Sequence, residues 1–182
     1  MAPVPISNFL PGIRCATLGA AAIILAHAPP LSAQPIDAAV KAAFLTKFPG
    51  YVTWPAQGQP AAGAPFTICL IGSDPFGKLA ETAAQGQQVD GHAVQIRRYP
   101  NADAASDCQI AFVQAATAAG LQAFAGKPVL TVTDKGSTEG MIHFEVSAGR
   151  VRFRIDEATA QKSGLAINSR LLAIALSVKR AE

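Results

Sequence analysis

The 182-residue chain is half apolar and only 15% charged, with 15 Lys and Arg against 12 Asp and Glu. A net charge of +3, thinly spread, excludes the cationic surface that nucleic acid or an anionic membrane would require. The length suits one domain with a substantial core.

The N-terminus reads as an export signal. Arg14 is the only charge among residues 1–33; an apolar run from Cys15 to Ala26 follows it, then Pro29-Pro30-Leu31-Ser32-Ala33. That order of charge, apolar run and small residues is the layout of a secretory signal peptide, and the run is too short to stay in a bilayer. Cleavage near Ala33 is expected to remove 33 of the 182 residues, leaving a 149-residue single α/β domain over 34–182 with a net charge of +2. No later apolar run is long and charge-free enough for a transmembrane helix. Two cysteines then remain, Cys69 and Cys108. In an oxidising compartment they can form one disulfide; the alternative is a pair of small buried apolar residues. Two sulfurs with no nearby histidine are too few ligands for a metal site.

In chain order, Asp37 can cap a helix whose Val40, Ala43, Phe44 and Phe48 recur at the spacing of a core-facing stripe. Pro49-Gly50 should end or kink it. Trp54 then wedges against the core, and residues 56–65 read as a surface loop. Residues 66–71 form a buried strand, Gly72 a tight turn, and Asp74-Pro75 a capped helix start. That helix turns Phe76, Leu79, Ala80 and Ala83 inward. Residues 94–99 and 108–113 are further strands, 117–124 a short helix and 128–133 another strand. Strands separated by helices predict parallel pairing with right-handed crossovers.

The C-terminal third changes character. Residues 141–146 and 151–155 alternate around a hairpin turn at 147–150, setting Glu145 opposite Arg152 and His143 opposite Arg154. His143 is then a solvated strand residue. A short helix starts at Asp156 and stops at Gly164, and Asn168 or Ser169 caps a last amphipathic helix carrying Leu171, Leu172, Ala175, Leu176 and Val178. The expected fold class is α/β, a mixed sheet, mostly parallel with a C-terminal antiparallel hairpin and helices on both faces. In such sheets the strand opened by Cys108 returns beside residues 66–71, opposite 94–99. Neighbouring strands fall within the Cα separations a disulfide spans.

The motifs argue against catalysis. Gly72-Ser-Asp-Pro-Phe-Gly77-Lys78 fits the body of a phosphate-binding loop, but Leu79 stands where a Ser or Thr would hold magnesium. Pro75 removes a cradling amide and Asp74 brings a negative charge. The carboxylates, Asp134 among them, are scattered over strand and helix ends, the usual solvated places. No G-x-S-x-G elbow is present. A binding role, with no catalytic residue, metal or cofactor, is therefore expected.

Several stretches, in order along the chain, resemble the YfiR family of exported regulators. They are Lys41-Ala-Ala-Phe-Leu-Thr-Lys-Phe48 with Val52-Thr-Trp-Pro55; Ile68-Cys-Leu-Ile-Gly-Ser-Asp-Pro-Phe-Gly77; Gly126-Lys-Pro-Val-Leu-Thr-Val-Thr-Asp134; Gly140-Met-Ile-His-Phe144 with Val151-Arg-Phe-Arg-Ile155; and Gly164-Leu-Ala-Ile-Asn-Ser-Arg-Leu-Leu172. Two departures stand out: Pro49-Gly50 interrupts the first helix, and a second cysteine pair found in some relatives is absent. The resemblance implies a periplasmic repressor that binds the sensor domain of an inner-membrane diguanylate cyclase, lowering cyclic-di-GMP and biofilm formation. Release by redox state or by an outer-membrane-anchored regulator is implied as well; family members need no cofactor, and homodimers are common among them. Partner contact is expected at Leu165, Ile167, Asn168 and Arg170, with Arg152 and Arg154 as a polar rim. The alternative makes the apolar pair plain core and the arginines plain surface. A second reading of the whole chain is a periplasmic small-ligand-binding protein without catalytic activity. Its ligand would lie near Gly72–Phe76, where parallel strands end in a crevice.

Overall fold

The structure, a computed structural model, describes residues 36–135 and 138–180; the expected export signal at 1–33 lies outside the described residues. Helix α1 (Ile36–Lys47) stops before Pro49, which has no N–H for a further turn, and a 3₁₀ turn (Phe48–Tyr51) leads into β1 (Val52–Thr53). The buried stripe of α1 is Ala38, Lys41, Ala42, Leu45 and Thr46. The predicted stripe is thus rotated: Val40 and Ala43 are exposed, Phe44 is half-buried and only Phe48 is fully inside. Lys41 reads as an outward residue by polarity alone. It is buried because Asp134 meets it there, Nζ to Oδ1 2.7 Å, with side chains 8% and 9% exposed. Asp134 is therefore not the solvated carboxylate that its place at a strand end predicts.

The remaining elements are β2 (Phe66–Ile71), α2 (Lys78–Ala84), β3 (Gln88–Val89), β4 (His92–Tyr99), β5 (Ile110–Val113), α3 (Ala118–Gln122), β6 (Leu130–Thr133), β7 (Ile142–Ser147), β8 (Arg150–Asp156), α4 (Glu157–Lys162), β9 (Ala166–Ile167), α5 (Ser169–Ile174) and β10 (Val178–Lys179). Eight strands form one sheet in the order β10-β8-β7-β6-β5-β2-β4-β3. Pairing is parallel from β4 through β2, β5 and β6 to β7, then antiparallel between β7 and β8. This is the predicted mixed α/β sheet, with β5 returning beside β2 and opposite β4. All six residues of β2 are buried, as a strand covered on both faces requires.

One face of the sheet carries most of the core. Phe66, Ile68, Leu70, Phe112, Phe144 and Phe153 pack there with residues of α1, α2 and α5. Phe44 meets Phe153 edge-on at 5.4 Å between ring centroids, an arrangement that favours aromatic pairs beyond simple burial. The other face is thinner: Cys69, Ile71, Cys108, Ala111 and Val113 lie under Phe124 and the partly buried Leu121 of α3.

Several local expectations shift by a few residues, each for a visible reason. The Asp74 side chain accepts the Phe76 N–H at 2.7 Å and makes a turn of its own, so α2 begins only at Lys78. Residues 56–65 are more than a surface loop: they include a 3₁₀ turn (Ala56–Gly58), and Gly58 is buried so tightly that a Cβ would sit 2.7 Å from Cβ of Pro128. Strand β5 starts at Ile110 rather than at Cys108. Helix α5 ends at Ile174, and Val178 belongs to β10, not to the helix. The Leu176 N–H bonds to the Phe153 carbonyl and the Ile155 N–H to that of Ser177, satisfying the edge of β8 that a longer helix would leave bare. An overlooked hairpin joins β3 to β4 through Asp90-Gly91, at φ 48° and 84°, the Asp-Gly pair that favours a two-residue turn.

The β7–β8 register is the predicted one, Glu145 opposite Arg152 and His143 opposite Arg154. The ion pairs run diagonally instead. Arg154 reaches Glu139 at 2.6 Å and Glu145 at 3.4 Å. His143 is half-buried rather than solvated, its Nδ1 2.8 Å from the Thr133 hydroxyl. The turn itself places Ala148 at φ 49°, a conformation an alanine resists. Ala148→Asn should therefore stabilise the protein by roughly 0.5–1 kcal/mol. In thermal unfolding this is a rise of about 2–3 °C; a fall would show that the turn tolerates alanine without strain.

Candidate functional site

The opening expectation that Cys69 and Cys108 bond to one another is met: they form a disulfide with Cα atoms 5.7 Å apart. In register, Cys69 of β2 faces Ala111 of β5, so the bridge is not made between paired strand positions. Bends at Asp107 and Gln109 displace Cys108 from the line of β5. Those bends are held from the sheet. The Gln109 N–H donates to the Thr67 carbonyl at 3.0 Å, and its side-chain oxygen accepts the Thr67 N–H at 2.8 Å. Asp107 takes the Tyr99 hydroxyl at 2.7 Å and also pairs with Arg97, both from β4. The cystine is buried, with Cys69 fully inside and Cys108 5% exposed. Asp107 lies close to both sulfurs. Sulfurs bonded to each other offer no thiolate, so this trio is no metal centre in the oxidised protein.

The turn that fits part of a phosphate-binding loop serves the scaffold. Arg98 of β4 donates to Asp74 at 2.8 Å and to the Gly77 carbonyl at 2.9 Å, and it also pairs with Glu81. The guanidinium holds the Glu81 carboxyl below its ordinary range. Residues 74–81 are thereby pinned over the end of β4, with their negative groups already neutralised by a protein cation. Phe76 is completely buried, its ring 4.8 Å from that of Phe112. Phe76, within the stretch where a ligand-binding reading places its ligand, is thus part of the core.

The six residues expected to meet a partner do not share one surface. Leu165 and Ile167 are core, 1% and 9% exposed, in the same cluster as Leu171 and Phe153. Asn168 is exposed and its side chain accepts the Arg170 N–H at 2.9 Å, capping α5 as predicted; Arg170 is exposed beside it. Arg152 and Arg154 alternate with the buried Val151, Phe153 and Ile155, so their side chains leave the sheet on the opposite face. Position in sequence cannot reveal this, because β9 crosses to pair with β1, Val52 facing Ile167 and Thr53 facing Ala166. That short antiparallel pair was missed: two residues are too few for any period to register.

The sequence profile described as YfiR/HmsC-like matches residues 38–176, about three quarters of the chain. No curated protein matches the chain.

Proposed function

Because the chain belongs to the YfiR/HmsC-like family, we propose that it represses an inner-membrane diguanylate cyclase from the periplasm, by binding the sensor domain of that enzyme. The observation that carries this reading is the family match over residues 38–176. Members of this family regulate rather than catalyse, and a buried cystine suits the oxidising compartment in which they work. Among the described residues no helix is long and apolar enough to cross a membrane. On this reading the export signal is removed near Ala33, and residues 34–182 act as one domain. Repression lowers cyclic-di-GMP and with it biofilm formation, and an outer-membrane-anchored regulator or a second copy of the chain are further partners.

The partner surface is assigned to the exposed members of the expected set. Asn168 and Arg170 stand at the β9–α5 junction, and Arg152 stands on the outer face of the β7–β8 hairpin. Deleting the gene should raise cellular cyclic-di-GMP, and the wild-type gene should restore the low level; no rise on deletion would overturn the repressor reading. Complementation with Arg170→Glu and, separately, with Arg152→Glu then tests the surface. Loss of repression by a folded Arg170→Glu protein locates contact at β9–α5, and loss with Arg152→Glu locates it on the hairpin. Full repression by both would remove the contact from these residues.

A further inference from the structure

At the amino ends of the parallel strands lies a cavity of about 670 Å³, walled by Trp54 and by Phe66 and His92 at the starts of β2 and β4. Asp90 at the tip of the β3–β4 hairpin and Arg170 of α5 also line it. Its size falls among those of small-molecule sites, roughly 300–1,000 Å³. Three features of the lining concern its chemistry.

Trp54 is 7% exposed, and its indole N–H is buried with no acceptor in the protein. That nitrogen is covered by the protein itself, so the part of Trp54 that the cavity meets is not this N–H. The ring is held in place meanwhile, edge-on to Phe66 at 5.1 Å, and its carbonyl accepts from Gln59 at 3.3 Å. The second feature is Arg170. Among the described residues no carboxylate pairs with its guanidinium, a fork suited to bidentate recognition of an acid. The third is His92, whose Nδ1 lies 2.6 Å from the Ala64 carbonyl. A carbonyl only accepts, so Nδ1 carries the proton; in the neutral form of the ring Nε2 is then an acceptor. Asp90 adds a second acceptor to the lining. Lys47, also on the wall, donates to the neutral Gln87 side chain at 2.9 Å, so two cations face one carboxylate here.

We propose that this cavity binds a small hydroxycarboxylate. Its carboxylate takes the Arg170 guanidinium, and its hydroxyl donates to Asp90 or His92. Nothing in this assignment depends on the repressor reading, since binding is measured on the purified protein alone.

The chain contains one tryptophan, so its fluorescence reports directly on the cavity. The protein purified from periplasmic expression is titrated with L-lactate, L-malate, citrate and, separately, inorganic phosphate. A saturable change in emission with at least one hydroxycarboxylate is expected, and none below about 10 mM would overturn the proposal. A response to phosphate alone would overturn it as well. Arg170→Gln should weaken the responding acid roughly tenfold or more, the loss of one charged hydrogen bond. Arg170 is exposed, so this variant should fold, and an unchanged affinity there overturns the assignment.

Discussion

Replacing Lys41 with methionine is expected to destabilise the protein by about 3–5 kcal/mol, a large fraction of the stability of a domain this size. The substitution keeps most of the side chain's length and apolar stem while removing the charge. Asp134 is then left as an unpaired carboxylate with its side chain 9% exposed, and removing a partner from a buried ion pair is costly because the remaining charge has lost its water as well. Asp134→Asn should cost less than Lys41→Met if the amide still accepts from the ammonium. The double variant Lys41→Met, Asp134→Leu should recover most of the loss, since an apolar pair of similar volume carries no desolvation penalty. Denaturant unfolding of these variants and of Asp134→Leu, which closes the double-mutant cycle with Lys41→Met, measures this directly. A Lys41→Met cost below about 1 kcal/mol would mean that the pair is hydrated like an ordinary surface bridge. The pair joins α1 to the end of β6, so it fastens that helix to the sheet.

Loss of the cystine is the second large effect. The bridge closes a loop between positions 39 apart, enclosing α2, β3 and β4. Constraining the unfolded chain by a loop of that length stabilises the fold by roughly 3–4 kcal/mol on the chain-entropy account. Cys69→Ala, Cys108→Ala should accordingly lower the thermal midpoint by about 10 °C. The fold should survive, because β2 remains paired to β5 through four backbone positions and to β4 through six. The thin face of the sheet, with the cystine among its few large contacts, is where loosening should concentrate. Hydrogen exchange in β5 and in residues 102–109 faster than in β7–β8 after reduction would agree with that. Uniform exchange across the sheet, or an unchanged midpoint, would remove the cystine from the stabilising contacts.

The two effects differ in how far each could be read from the chain. The cystine follows from counting: two cysteines beyond the expected export signal, one on a buried strand and one opening the strand expected to return beside it. The ion pair does not follow. Lys41 and Asp134 are 93 positions apart, and each taken alone fits a solvated place on a helix and at a strand end. Polarity told the helix reading to turn Lys41 outward, which rotated the whole predicted stripe of α1. The late elements shifted for a related reason. Val178 continues a helical spacing, yet the free edge of β8 offered its neighbours backbone hydrogen bonds that a helix end does not.

What the sequence by itself determined is whatever local periodicity and turn chemistry control. The mostly apolar six-residue run of β2, the α/β alternation, the hairpin register at Glu145 and Arg152, and the caps at Asp156 and Asn168 each depend on residues within a few positions of one another. The tertiary structure alone decided what depends on separate segments meeting. It buried Lys41 against Asp134, made Leu165 and Ile167 core, and put Arg152 and Arg170 on different faces. It also brought Trp54, His92 and Arg170 to the wall of one cavity. Burial and pairing are properties of the space between elements, and no window along the chain contains that space.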